Sequence, residues 1–200
     1  MRTIVITAIV GLALVALPES QSAQDSRPGG SLEQPFAANG RISMDLSAGE
    51  YRITGSPDSR IRLDWSVRDR DKLADVRARA DVRGQDAAIS TDGPDNGGFK
   101  VAIAVPARAD LHVRLTAGEL TIEGIEGNKD VALHAGEVRI DVGRPQDYRI
   151  VDASLWAGDL DASAFGVNKG GLFRSFDRGG NGRYRLKVHL KAGEIRLYSR

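Results

Sequence analysis

Residues Leu115–Val142 read LTAGELTIEGIEGNKDVALHAGEVRIDV. Each half runs apolar-x-Ala-Gly-Glu-apolar-x-Ile, and each breaks its own rhythm at the Ala-Gly-Glu triplet. Ahead of the second triplet, apolar side chains fall on every other residue at Val131, Leu133 and Ala135. Beyond it they resume at Val138 and Ile140, one position out of phase. A strand that slips by one residue turns its apolar face to water. An extra residue at a glycine avoids this, because a bulge or sharp corner lets the same side face inward again. The stretch therefore predicts strands that bend at glycine.

The same signature occurs five times, at Ala48-Gly49-Glu50, Ala117-Gly118-Glu119, Ala135-Gly136-Glu137, Ala157-Gly158-Asp159 and Ala192-Gly193-Glu194. A leucine stands two residues before each alanine (Leu46, Leu115, Leu133, Leu155, Leu190), and an apolar residue follows each acid. Successive triplets are 69, 18, 22 and 35 residues apart. Intervals near 20 residues fit one coil of a repeating β structure, each coil burying its apolar face against the next. The expected class is all-β, a β-solenoid or β-roll with hairpin embellishments; the alternative is a β-sandwich.

Outward from this stretch, period-2 alternation dominates from Arg41 onward, as in SRIRLDWSV, FKVAIAVP and RYRLKVHLKA. The segments STDGPDNGG (Ser90–Gly98) and DRGGNGR (Asp177–Arg183) look like hairpin connections. RDKLADVRARA (Arg70–Ala80) fits either a helix or a charged strand pair. Residues 24–40, rich in Ser, Gln, Pro and Gly, read as a flexible linker. Before them, Arg2 and the 14-residue apolar run Ile4–Leu17 precede Pro18 and small residues at Ser20, Ser22 and Ala23. That run is short for a bilayer span, which takes ~20 apolar residues, and it suits a secretory signal peptide over 1–23. An uncleaved anchor is the alternative, and would be the only membrane contact.

The 200-residue chain has no cysteine, which excludes disulfides and thiolate metal sites. Its formal charge of +1 argues against nucleic acid as a partner. An exported domain, periplasmic or at the cell surface, is expected.

At VAIAVPARADLHVRLTAGELTIEGIEGNKDVALHAGEVRIDV, and at the closing FRSFDRGGNGRYRLKVHLKAGEIRLYSR, the chain resembles a family of exported bacterial domains known as putative adhesins. The likeness covers Ile42–Arg200. It implies an all-β, repeat-built fold at the cell envelope, ends the chain in a hairpin, and carries no catalytic residues to transfer.

The residues themselves offer three surfaces. If the coils stack in chain order, Glu119, Glu137 and Asp159 form an acidic corner ~4.8 Å apart. Arginines two residues beyond triplet acids (Arg52 after Glu50, Arg139 after Glu137, Arg196 after Glu194) are the expected counter-ions, with Ca²⁺ as the alternative. The residues just before each alanine point outward: Ser47, Thr116, His134, Trp156 and Lys191. His134 and Trp156 are expected as neighbours on adjacent coils, a binding surface for a sugar ring or partner chain. The competing reading has Trp156 covered by AFGVNKGGLFRSF (Ala164–Phe176). Last, Arg183, Arg185, Lys187, His189 and Lys191 alternate along one ribbon. That basic face suits an anionic envelope polymer or lipid head groups, or else charge that protects a terminal edge strand.

No metal-ligand spacing, nucleophile elbow or phosphate loop occurs, so no cofactor, metal or catalytic residue is assigned. The leading expectation is a non-catalytic, adhesin-like envelope module binding a protein or polysaccharide. A carbohydrate-active enzyme on a β-solenoid and a self-associating envelope scaffold are the alternatives.

Overall fold

The computed structural model describes residues 28–94 and 98–200. The expected signal segment lies outside the described residues. Among these residues no helix is long and apolar enough to cross a membrane. The protein is all-β. Its first strands are β1 (Gly29–Pro35), β2 (Arg41–Leu46), β3 (Gly49–Ser56), β4 (Arg60–Ser66), β5 (Arg77–Arg83) and β6 (Asp86–Asp92). Then come β7 (Lys100–Pro106), β8 (Asp110–Glu123), β9 (Lys129–Asp141), β10 (Tyr148–Ala162), β11 (Val167–Gly179) and β12 (Tyr184–Tyr198). Together they make one mixed twelve-stranded sheet, whose main path is β1-β4-β7-β3-β8-β9-β12-β10-β11. β2 joins through β8, and β5 attaches outside β6.

The long strands are bent, and the register requires it. β8 has 14 residues, which if straight would run ~45 Å. The five-residue connection 124–128 can reach back at most ~21 Å. Yet β9 starts parallel beside the beginning of β8, with Lys129 opposite Leu111. The chain must therefore double back within β8, and the burial pattern shows where. Leu111, Val113 and Leu115 are buried on one side of Ala117-Gly118, and Leu120 and Ile122 on the other. The out-of-phase step read from the sequence is the fold's corner.

The corners align across strands. Gly118, Gly136, Gly193 and Gly158 stand side by side in register, each with φ between 121° and 132°. A Cβ on any of them would run into the carbonyl oxygen of the next glycine in the row. Only glycine fits, because it tolerates that φ and leaves room for the backbone alongside. One step earlier, Leu46, Leu115, Leu133, Leu190 and Leu155 form a continuous buried row. Each contributes about 2 kcal/mol on burial, so the row as a whole rivals the net stability of a typical domain.

The order of the rungs differs from chain order. β12 lies between β9 and β10, parallel to both. β11 pairs with β10 on its far side, antiparallel, so β11 and β12 form no hairpin. Composition explains the exchange. β12 carries the repeat and buries Leu186, Val188, Leu190, Ile195 and Leu197, whereas β11 lacks it and buries only Phe176. The strand with two apolar halves takes the interior slot.

Three further expectations are corrected. Ser90–Gly98 leads from β6 to β7, which pair with different strands, so it closes no hairpin. Arg70–Asp75 makes a short 3-10 helix with no buried residue, and β5 follows. Aspartates crowd that segment and leave only Leu73 for packing, too little for an amphipathic helix. Within the stretch read as linker, Gly29–Pro35 pairs antiparallel with β4 and packs Leu32 onto the core.

Candidate functional site

The residues just before the corner share the sheet's outer face. Thr116, His134, Lys191, Trp156 and Phe173 stand level with one another across five strands, between the paired leucine and alanine rows. They border a groove of about 950 Å³. Small side chains make its floor: Ala132, and Ser154, whose Oγ lies 2.6 Å from His189 Nδ1. At the β2 end, Asp45 and Asp92 line it. There the Tyr51 hydroxyl bonds Thr91 Oγ1 at 2.8 Å, and burial holds its phenol pKa above the usual value.

At the other end stand two aromatic rings. Trp156 is 58% exposed and Phe173 74%, with ring centroids 6.0 Å apart and planes tilted by 47°. The covered reading of Trp156 is thus corrected. The segment expected to lie over it is a short 3-10 turn, Ser163–Phe165, and the first part of edge strand β11, and these send Phe165 and Phe176 toward the core instead. Phe173, at φ 52°, turns outward beside the indole. No sequence signal distinguished Phe173 from Phe176, since β11 has no apolar alternation.

His134 and Trp156 do share the groove, but not as neighbours. Because β12 is inserted between their strands, Lys191 separates them. Arg183, Arg185 and Lys187 lie outside it. Arg183 stacks its guanidinium over the Tyr184 ring at 4.8 Å. Arg185 and Lys187 are exposed on β12, with Lys187 level with Asp130 on one side and Asp152 on the other. β12 is interior, so edge protection does not explain these cations.

The acidic corner takes the same insertion: Glu119, Glu137, Glu194 and Asp159 run in that order. Arg139 donates from Nε and Nη2 to the two carboxylate oxygens of Glu137, both at 2.5 Å, and Arg196 pairs with Glu194. Arg52 departs from expectation, bonding Glu123 at 3.0 Å, while Lys100 pairs with Glu50. Among the described residues, no group of three or more His, Asp or Glu is placed to hold a metal ion.

Ser154 and His189 are the pair nearest to catalytic geometry. Among the described residues, no carboxylate lies within ion-pairing distance of His189 to orient it. Backbone N–H groups around Ser154 face paired strands on both sides, leaving no free donors for a developing oxyanion.

One buried cation went unread in the sequence. Lys129, at 1% exposure, donates from Nζ to the Ile125 carbonyl and the Tyr148 hydroxyl, both at 2.8 Å, and to the Gly127 carbonyl at 3.3 Å. Burial lowers its pKa to about 8, against the pull of Asp141, Asp110 and Glu126. It ties the return connection 124–128 to the start of β10.

No protein-family model and no curated protein matches the chain. Solved structures do. A putative cell adhesion protein from Clostridium sporogenes aligns over 86% of this chain and 100% of its own, at 12% identity and a TM-score of 0.58. The two proteins share a fold. A putative adhesin from Bacteroides fragilis aligns over 86% of this chain and 98% of its own at 11% identity, with a TM-score of 0.32, too low to add to the comparison. The shared fold agrees with the resemblance drawn from the repeat residues.

Proposed function

We propose that this protein is a non-catalytic, exported binding module, built as a flattened β-roll, that holds an envelope or extracellular partner in the groove beside its glycine corner. The observation that carries the reading is the exposed Trp156–Phe173 pair. Two large rings left in water at one end of a small-floored groove provide apolar contact area with little side-chain entropy to lose. The adhesion label of the Clostridium protein and the apolar run at 4–17 favour export. The unsupported Ser154–His189 pair and the ion-paired corner favour binding over turnover.

The test is retention of purified chain on immobilised envelope fractions. Retention should fall at least about tenfold in a Trp156→Ala, Phe173→Ala double variant that melts at the parental temperature. Retention unchanged by that variant would remove the groove reading, and turnover of a polymer would remove the non-catalytic one.

A second reading rests on β11 itself. It is a 13-residue edge strand with Leu172 and Phe173 exposed, open along the side away from β10. Such an edge invites strand pairing between copies. Sedimentation that stays monomeric across concentration rejects self-association.

A further inference from the structure

We infer that the groove takes an acidic oligosaccharide, with uronate carboxylates seated beside Lys191 and pyranose faces against Trp156 and Phe173. This rests on reading the groove as the binding surface, and it adds the class of ligand.

Charge distribution is the first argument. Along the acidic corner and the first strands, named cations meet acids: Arg139 with Glu137, Arg196 with Glu194, Lys100 with Glu50, Arg60 and Arg62 with Glu33. In the groove, Arg114, Arg174 and Lys191 have no carboxylate within ion-pairing distance among the described residues. The two acids that line it, Asp45 and Asp92, belong to β2 and β6. They stand at the end away from the rings. The aromatic end therefore has no lining acid and one free-standing cation, Lys191, between His134 and Trp156, while Arg174 spends its Nε on the Gly170 carbonyl. A ligand that satisfies this end carries negative charge.

Shape and hydroxyl chemistry supply the second argument. A pyranose ring presents an apolar C–H face and a rim of hydroxyls. Two rings tilted by 47° offer such faces successive platforms that a twisting glycan can follow and a flat hydrocarbon cannot. Ser154, Ser175, His189 and Thr116 supply donors and acceptors beside them. Across the five intervals from β2 to β11 the groove is ~24 Å wide, room for several sugar units. A polyanion without sugar faces would leave the rings unused, and a neutral glycan would leave Lys191 without an ionic partner.

The experiment titrates the full mature chain by calorimetry with a panel of uronate oligomers (galacturonate, alginate and glucuronate types). The carboxyl-reduced, neutral forms of the same oligomers and poly-glutamate are the comparators. The expected result is binding of at least one uronate oligomer that weakens with salt. Affinity should drop about tenfold for the reduced form and for Lys191→Met, and at least as far for Trp156→Ala. Binding of the reduced form as tight as the acid, with Trp156→Ala still disruptive, would overturn the acidic class and leave the groove reading standing. Poly-glutamate binding equal to the uronates overturns the sugar component. Indifference of every polymer to Trp156→Ala, or no binding by any uronate, overturns the inference, and the first of these removes the groove reading with it.

Discussion

β10 is flanked by two strands that teach opposite lessons. On one side β12 lies parallel, matched residue for residue through the corner, with five apolar side chains sealed in the core. On the other, β11 runs antiparallel with Phe176 its only buried residue. The two are consecutive in sequence. What separates them is the repeat: leucine, one spacer, Ala-Gly-acid, then the shifted apolar phase. A strand carrying it can sit beside any other that does, wherever it falls in the chain. β11, which lacks both the repeat and any apolar alternation, takes the edge.

The contrast is broken most severely at the corner. Gly136→Ala should cost several kcal/mol, roughly 3–5, because its φ of 130° and the Gly118 carbonyl both exclude a Cβ. Gly179→Ala in β11, with open space around it, should stay within about 0.5 kcal/mol; chemical denaturation of both variants decides. Next come the leucines. Leu190→Ala in β12 should destabilise by about 2–5 kcal/mol, and Leu172→Ala in β11 by less than about 0.5. Equal losses from these two would mean the edge strand is packed as tightly as the interior one.

A smaller effect separates the other end of the long strands. In the folded protein Lys129 loses its proton near pH 8, against an ordinary value of 10.5. Between those values the unfolded chain holds more protons, so stability rises with pH. The gain from pH 8 to 10 should be about 2 kcal/mol. Above that, the raised phenol of Tyr148 acts in the opposite sense, since the unfolded chain ionises first. Lys129→Met should flatten the rise between pH 8 and 10 in melts followed by circular dichroism. Least of all, Glu137→Gln should cost under about 1 kcal/mol, and salt should shrink the difference, because its ion pair with Arg139 is part exposed.

The corner, the leucine row and the inward faces were legible because a period-2 pattern that slips by one residue has a single mechanical remedy. Pairing order was not. Five near-identical motifs are all mutually compatible neighbours, so local pattern cannot say that Leu190 sits between Leu133 and Leu155. That same ambiguity misplaced Lys191 and put His134 directly beside Trp156. The exposure of Trp156 depended on which phenylalanines of β11 turn inward, and a strand without alternation carries no such information. Lys129 was hidden because its partners are carbonyls and a phenol, groups that leave no charge signature in sequence.

β12 is the last of the twelve strands to leave the ribosome, yet it belongs in the middle of the sheet. Until it is synthesised, β9 and β10 have no shared neighbour, and the earlier strands cannot close into their final arrangement. Such long-range pairing folds slowly. A sheet whose interior strand is made after the strands on both sides of it can close only once that strand has been synthesised.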